Sequence, residues 1–139
     1  MKPPAEIFLS HASADSSVAS KVAGVLRRHG LPVWYAPTNI VGAQQWQDEI
    51  GTALKRCDWF LVLLSPSSVE SMWVKRELQY ALRESRYDGR ITPVLIADCD
   101  FDDLSWVLAS IQIVDIKSGD SAGFKELLRT WGIGFAADA

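Results

Sequence analysis

The chain opens its ordered pattern with Ile7-Phe8-Leu9, a short apolar run set between Glu6 and Ser10-His11. A run this short with polar flanks predicts a buried strand. Ser13-Ala14-Asp15-Ser16 then supplies capping residues for a helix through His29, with Val18, Val22, Val25 and Leu26 on one face and Gly30 as its stop. Pro32-Val33-Trp34-Tyr35 predicts a second strand, and Ala36 to Gln44 a loop punctuated by Pro37 and Gly42. Trp46, Ile50, Ala53 and Leu54 mark one face of a second helix, with Asp48 and Glu49 in its first turn. The continuous apolar stretch Trp59-Phe60-Leu61-Val62-Leu63-Leu64 has the pattern of a central strand covered on both faces. Ser65-Pro66-Ser67-Ser68 caps a long helix reaching about Ser85, its core stripe formed by Val74, Leu78, Ala81 and Ser85. Ile91 to Ile96 predicts a fourth strand, which Pro93 places edge-ward or beside a bulge. Ile111-Gln112-Ile113-Val114 predicts a fifth, and Phe124 to Leu128 a last helix ending near Gly132. The tail from Gly134 onward is expected to be loose.

Strands alternating with helices of 10–15 residues imply an α/β fold, an open five-stranded parallel sheet with helices on both faces. In such sheets ligands bind outside the carboxyl ends of the strands. The segments to search are therefore Ser10-His11, Tyr35 to Trp46, Ser65 to Glu77 and Ala97 to Asp103.

Composition narrows the partners. The 139 residues, 48% of them apolar and 22% charged, suit one domain with a real core and leave no room for a second. A net charge of −3 argues against a dedicated nucleic-acid or anionic-membrane binder. No apolar run approaches a membrane span, and Met1-Lys2-Pro3-Pro4-Ala5 lacks a signal-peptide hydrophobic region, so the expectation is a cytoplasmic domain. Cys57 and Cys99 are too few to staple the domain, and no Cys/His cluster has zinc spacing, so no metal site is expected. Asp98 to Asp103 reads as a solvated charge run.

Several chemistries carried by this kind of sheet are excluded at the strand ends. Ser10-His11-Ala12-Ser13 has no glycine for a dinucleotide fingerprint, and no Walker phosphate loop or nucleophile elbow occurs anywhere. The first strand ends in Ser-His and the third in Ser65-Pro66, without the acidic residues a receiver domain needs for Mg²⁺. His29, beside Gly30, reads as a helix-end cap. His11, at a strand's carboxyl end, is either a site residue or a partner for a neighbouring loop.

Glu77 stands out among the carboxylates. Its neighbours three and four positions away are Trp73, Val74, Tyr80 and Ala81, so no Lys or Arg pairs with it along its own helix. It also adjoins the apolar stripe of Val74 and Leu78. Two readings follow: a glutamate that is exposed or paired in the tertiary structure, or a carboxylate in a sugar-binding or proton-transfer site.

The string Ile7-Phe8-Leu9-Ser10-His11-Ala12-Ser13, followed by Leu31-Pro32-Val33-Trp34-Tyr35-Ala36-Pro37, resembles the opening of prokaryotic TIR (Toll/interleukin-1 receptor) domains. So does Gly42-x-x-x-Trp46-x-x-x-Ile50-x-x-Ala53-Leu54, and so does Phe60 to Pro66 running into Ser71-x-Trp73-Val74-x-x-Glu77-Leu78. From Asp98 onward the match is one of pattern only. The resemblance implies a flavodoxin-like fold. It implies that Trp73-x-x-x-Glu77 corresponds to the tryptophan–glutamate pair of NAD⁺-cleaving members, with Glu77 catalytic. Ser10, His11 and Ala12 would line the pocket floor, and Trp34, Ala36, Pro37, Trp46 and Trp73 complete the candidate substrate contacts. Trp34 and Trp46 also fit core packing. Thr38, Asn39, Ile40, Val41 and Gly42 would form the gating and self-association loop. That loop is nearly uncharged here, unlike many relatives, and these 139 residues include no coiled coil or sensor domain, which fits either a domain cut from a longer protein or a free-standing effector.

The implied chemistry suits these residue types. Breaking the nicotinamide–ribose bond builds oxocarbenium-like charge, and pyridinium is already a good leaving group, so one carboxylate suffices where ordinary glycosidases need two. An indole one helical turn away offers a stacking face. The resemblance thus implies an NAD⁺ glycohydrolase or cyclase, with NAD⁺ as substrate and no cofactor. Self-association through TIR–TIR contacts, a separate effector responding to the product, and a role in anti-phage signalling belong to the same expectation. The alternatives are a non-catalytic TIR scaffold and a nucleoside deoxyribosyltransferase-like enzyme with a covalent glutamate.

Overall fold

The computed structural model describes residues 2–36 and 43–136, with the side chains of residues 43–46 outside the description. Strands β1 (Ile7–Ser10), β2 (Val33–Tyr35), β3 (Trp59–Leu64), β4 (Ile91–Leu95) and β5 (Val114–Asp115) form one all-parallel sheet in the order β2-β1-β3-β4-β5. Helices α1 (Ser16–Arg28), α2 (Ala43–Arg56), α3 (Pro66–Val69), α4 (Met72–Arg83) and α5 (Ser121–Arg129) cover it. This is the open parallel α/β sheet that the alternating pattern predicts, in the flavodoxin-like form that the resemblance implies.

Alternation along the central strands divides the core in two. Ile7, Leu9, Leu61 and Leu63 face α1 and α5, where Val22, Leu26, Phe124 and Leu127 meet them. Phe8, Phe60, Val62 and Leu64 face α2 and α4, meeting Ile50, Leu54, Val74 and Leu78. Every residue of β3 is buried, as its unbroken apolar run requires. Gly30 and Gly132, at φ +84° and +69°, stop α1 and follow α5 where the sequence puts them. The expected loop is shorter than Ala36 to Gln44, because α2 already begins at Ala43.

Two elements depart from the sequence reading. The long helix expected from Ser65 to Ser85 is two helices. Ser65 and Ser68 close a capping box on α3, and Ser71 then caps α4 by accepting the Val74 N–H at 3.2 Å. Two N-caps six residues apart restart the backbone instead of continuing it. α4 ends at Arg83, so Ser85 is exposed, and Tyr87 takes the core position, its hydroxyl donating to Leu54 O at 2.5 Å.

The fifth strand is also shorter than Ile111–Val114, pairing only at Val114 and Asp115. The cause lies in β4. Residues of a parallel strand present N–H and C=O together, alternately to one neighbour and the other. Arg90 O accepts from Phe60 on β3, whereas Leu95 O accepts from Ile116 beyond β5, so Leu95, Pro93 and Ile91 all face the β5 side. The bond that would extend the ladder past Val114 needs an N–H on residue 93, and proline has none. The pairing stops there.

Among the described residues no helix is long and apolar enough to cross a membrane, and no group of three or more His, Cys, Asp or Glu side chains could hold a metal. Asp98, in the acidic run, pairs with Lys117 at 2.6 Å. His29 caps α1 as expected, its Nδ1 lying 2.7 Å from Val25 O, and its Nε2 accepts the Ala136 N–H at 2.9 Å.

Candidate functional site

The carboxyl ends of β1 and β3 converge on the start of α4. β1 ends at Ser10, which is buried, and its hydroxyl donates to Glu77 Oε1 at 2.6 Å across 67 positions of sequence. Glu77 is 8% exposed, so it does not lie on the polar face of its helix, and no ion pair reaches it among the described residues. A capped helix start at Ser71 sets the phase that turns Glu77 inward beside Val74 and Leu78. Burial pushes its carboxyl from an ordinary 4.5 up to about 7, and the Ser10 bond pulls in the opposite direction. Such a group changes charge near neutrality.

Glu77 lies at a narrow cleft of about 40 Å³ walled by His11, Trp34, Ala36, Ser71 and Trp73. Trp73 is 39% exposed, one turn before Glu77 on α4, with the Arg76 guanidinium 5.6 Å from its ring. Trp34 stacks on Phe8 at 5.0 Å, and Phe8 on Phe60 at 5.5 Å, so one indole serves both core and wall. His11 packs edge-on against Tyr35 at 5.9 Å. Burial lowers the His11 pKa, while Asp15 and the Leu9 backbone oppose the shift, which favours the neutral ring.

Of the residues named from sequence, the structure gathers His11, Trp34, Ala36, Trp73 and Glu77 around this one cleft, with Ser10 bonded to the carboxylate. Ala12 is buried and contributes no wall. Pro37, Thr38, Asn39, Ile40, Val41 and Gly42 lie outside the described residues, as does the side chain of Trp46 on α2.

Sequence reasoning missed the pair that fastens the two strand ends together. Ser65 donates to Asp15 Oδ2 at 2.5 Å while accepting the Ser68 N–H. This ties the turn after β1 to the turn after β3, and holds a carboxylate near His11. The signal was present, since Asp15 and Ser65 both stand just after apolar strands, but each also fits a plain helix cap.

With this geometry in view, the family profile of the TIR domain matches residues 7–128. The chain belongs to the TIR domain family. Over 74 residues, 52% of its length, it is 31% identical to the 2′ cyclic ADP-D-ribose synthase BtTIR of Bacteroides thetaiotaomicron. Over 124 residues, 88% of its length, it is 23% identical to the probable 2′ cyclic ADP-D-ribose synthase TcpO of Methanobrevibacter olleyae. These alignments cover 26% and 36% of the two relatives, so this TIR domain spans only about a third of their length or less. Among solved structures it is similar to the TIR domain of the Toll-related receptor TRR-2 from Hydra magnipapillata, with a TM-score of 0.70 and 18% identity. That match covers 88% of this chain and 94% of the other. The TIR domains of the activated Roq1 resistosome superpose with a TM-score of 0.68 at 16% identity, covering 89% and 97% of the two chains. At these identities the structural likeness shows the fold alone.

Proposed function

We propose that this TIR domain cleaves NAD⁺ between nicotinamide and ribose, with Glu77 as the catalytic carboxylate. The observation that carries the reading is Glu77 itself: buried, bonded to one hydroxyl, and lining with Trp34 and Trp73 a cleft at the carboxyl ends of the strands. No stabilising role explains a desolvated carboxylate that has no cationic partner among the described residues, whereas a developing oxocarbenium ion gives it one. As the C1′–N bond breaks, its electron pair goes to the ring nitrogen, which loses its positive charge and departs as neutral nicotinamide. The ionised Glu77 offsets the charge left on the ribose. A water then gives ADP-ribose, or a hydroxyl of the second ribose gives a cyclic isomer, each attacking oxygen losing one proton. The names of the two curated relatives favour the cyclic product.

Trp73 and Trp34 supply flat faces for nicotinamide or its ribose, and His11 and Ala36 further contacts; for Pro37 and Trp46 a contact rests on the family resemblance alone. Ser10 orients the carboxylate, and Ala12 supports its strand end. A cleft of about 40 Å³ is far below the roughly 300–1,000 Å³ of ordinary small-molecule sites, so the walls part to admit a dinucleotide. The segment Thr38 to Gly42 is the proposed gate and self-association loop. Activity then belongs to an assembly of TIR domains, in the setting of anti-phage signalling through a product-sensing effector. NAD⁺ is a substrate here, and no cofactor is invoked.

The experiment is chromatography of NAD⁺ incubated with concentrated protein, beside Glu77→Gln. Nicotinamide release by the parent alone supports both the activity and the residue. Release by both removes Glu77 from the mechanism, and release by neither, even with a crowding agent, leaves the scaffold reading. A rate per subunit independent of concentration removes the shared assembly.

A further inference from the structure

A second cavity of this TIR domain is far larger than the Glu77 cleft. It is a slot of about 520 Å³ at the opposite end of the sheet, beside the start of β4. Its origin is Pro93. Because the β5 ladder stops there, the segment before Val114 stands away from β4, and Ile111 and Gln112 form the slot's outer wall. The plane of the missing ladder is left open.

Ile91 faces this opening. Arg90 O bonds to β3, so by alternation the Ile91 N–H and C=O point to the β5 side. Neither has a protein partner there among the described residues. One extended residue thus offers a donor and an acceptor side by side to a volume within the usual range of about 300–1,000 Å³ for small-molecule sites. Leu82 of α4 closes one face and Thr130, after α5, the other, so an occupant in the plane of the sheet is sandwiched between layers.

We propose that the slot binds a neutral, flat heteroaromatic ligand whose edge carries an adjacent hydrogen-bond donor and acceptor. A nucleobase or its nucleoside has this edge, and so does an aromatic carboxamide. Such an edge pairs with the Ile91 N–H and C=O as the absent β5 residue would, with the ring against Leu82. Charge argues for a neutral occupant. Asp88 and Glu126 line the slot, and its cation, Arg129, already pairs with Glu126 at 3.2 Å, so an added phosphate meets net negative charge. A continuous peptide strand is disfavoured because the Val94–Val114 pair blocks one end.

The test is an amide-shift titration of the ¹⁵N-labelled protein with adenosine and, separately, with nicotinamide. Ligand efficiencies typical of compounds this size place half-saturation at roughly 0.1–1 mM. The Ile91 and Gln112 amides move saturably with at least one probe, and the probe that moves them identifies the source of the ring. Leu82→Trp fills the slot and removes those shifts; Ile111→Trp does the same from the outer wall. Shifts at His11 or Trp73 report the other cleft, and Glu77→Gln leaves the slot shifts unchanged, so this site stands or falls apart from the NAD⁺ reading. Amides of Ile91 and Gln112 that stay still with both probes overturn the proposal, as do shifts that persist in both filled variants. AMP binding more tightly than adenosine overturns the charge argument.

Discussion

Glu77→Gln makes this TIR domain more stable while abolishing its proposed reaction. Glutamine keeps the shape of the side chain and an oxygen that accepts from Ser10, and removes only the charge. In the native state the Glu77 carboxyl is raised from 4.5 to about 7, chiefly by burial. The folded protein therefore prefers the protonated form. Stability from this group is fully present below pH 4.5 and is lost as pH rises through about 7. At roughly 1.36 kcal/mol per pH unit the loss comes to about 3 kcal/mol. At pH 4 the parent and the variant carry neutral groups of equal shape and unfold alike. At pH 8 only the parent buries a charge, and the variant is more stable by about 3 kcal/mol, or roughly 10 °C in midpoint for a domain this size. Urea unfolding followed by tryptophan fluorescence, repeated from pH 4 to 8.5, gives the difference curve. Every other titrating group is common to both proteins and cancels. A flat difference curve, or a variant less stable than its parent at pH 8, refutes the claim that burial holds the Glu77 carboxyl in its protonated form.

The remaining predictions use the same geometry. Because the ionised carboxylate does the work in the proposed reaction, kcat/KM for NAD⁺ rises with pH through a midpoint near 7 in the free protein; a profile flat from pH 5.5 to 8.5 contradicts this. Ser10→Ala removes the bond that opposes the shift, so the midpoint moves upward and the rate at pH 7 falls, as stopped assays across pH will show. Gly123→Ala, on α5, places a methyl 2.8 Å from Ile116 Cγ2 and 2.9 Å from its Cα, and lowers stability by about 1–3 kcal/mol despite better helix propensity. Gly24→Ala, exposed on α1 with nothing within 4 Å, raises stability by roughly 0.5–1 kcal/mol in the same unfolding assay.

What could be read from sequence, and what could not, follows the range of the interactions involved. β3 is continuous and apolar because both faces are buried, and local periodicity recovers it to the residue. Helix stops at Gly30 and Gly132 depend on one residue's conformation and are equally local. The helix break at Glu70 is local too, but ambiguous, since serines at 65, 68 and 71 all cap well and only packing selects two starts. β5 fails for a reason about 20 residues away: Ile111 to Val114 has strand chemistry, but Pro93 on the neighbour withholds a donor. The site shows the same division. That Glu77 has no Lys or Arg three or four positions away is visible in spacing, whereas its bond to Ser10 and the Asp15–Ser65 tie need the sheet order β1-β3 to exist.

That dependence has a mechanical consequence for the site. The two strand ends that hold Ser10 and Ser65 are adjacent in the sheet, and each reaches a carboxylate on a different element, Glu77 on α4 and Asp15 before α1. The hydroxyls thus clamp α4 and the turn after β1 to the most buried part of the molecule. Burial opposes ionisation of Glu77 even though the Ser10 bond favours the charged form, and the net cost is the same roughly 3 kcal/mol that the glutamine variant recovers. In the proposed reaction, the charge that offsets a cationic intermediate is the charge the fold least wants. Under that proposal, occupancy by the intermediate relieves the conflict, so tightening at the cleft accompanies the reaction and does not precede it.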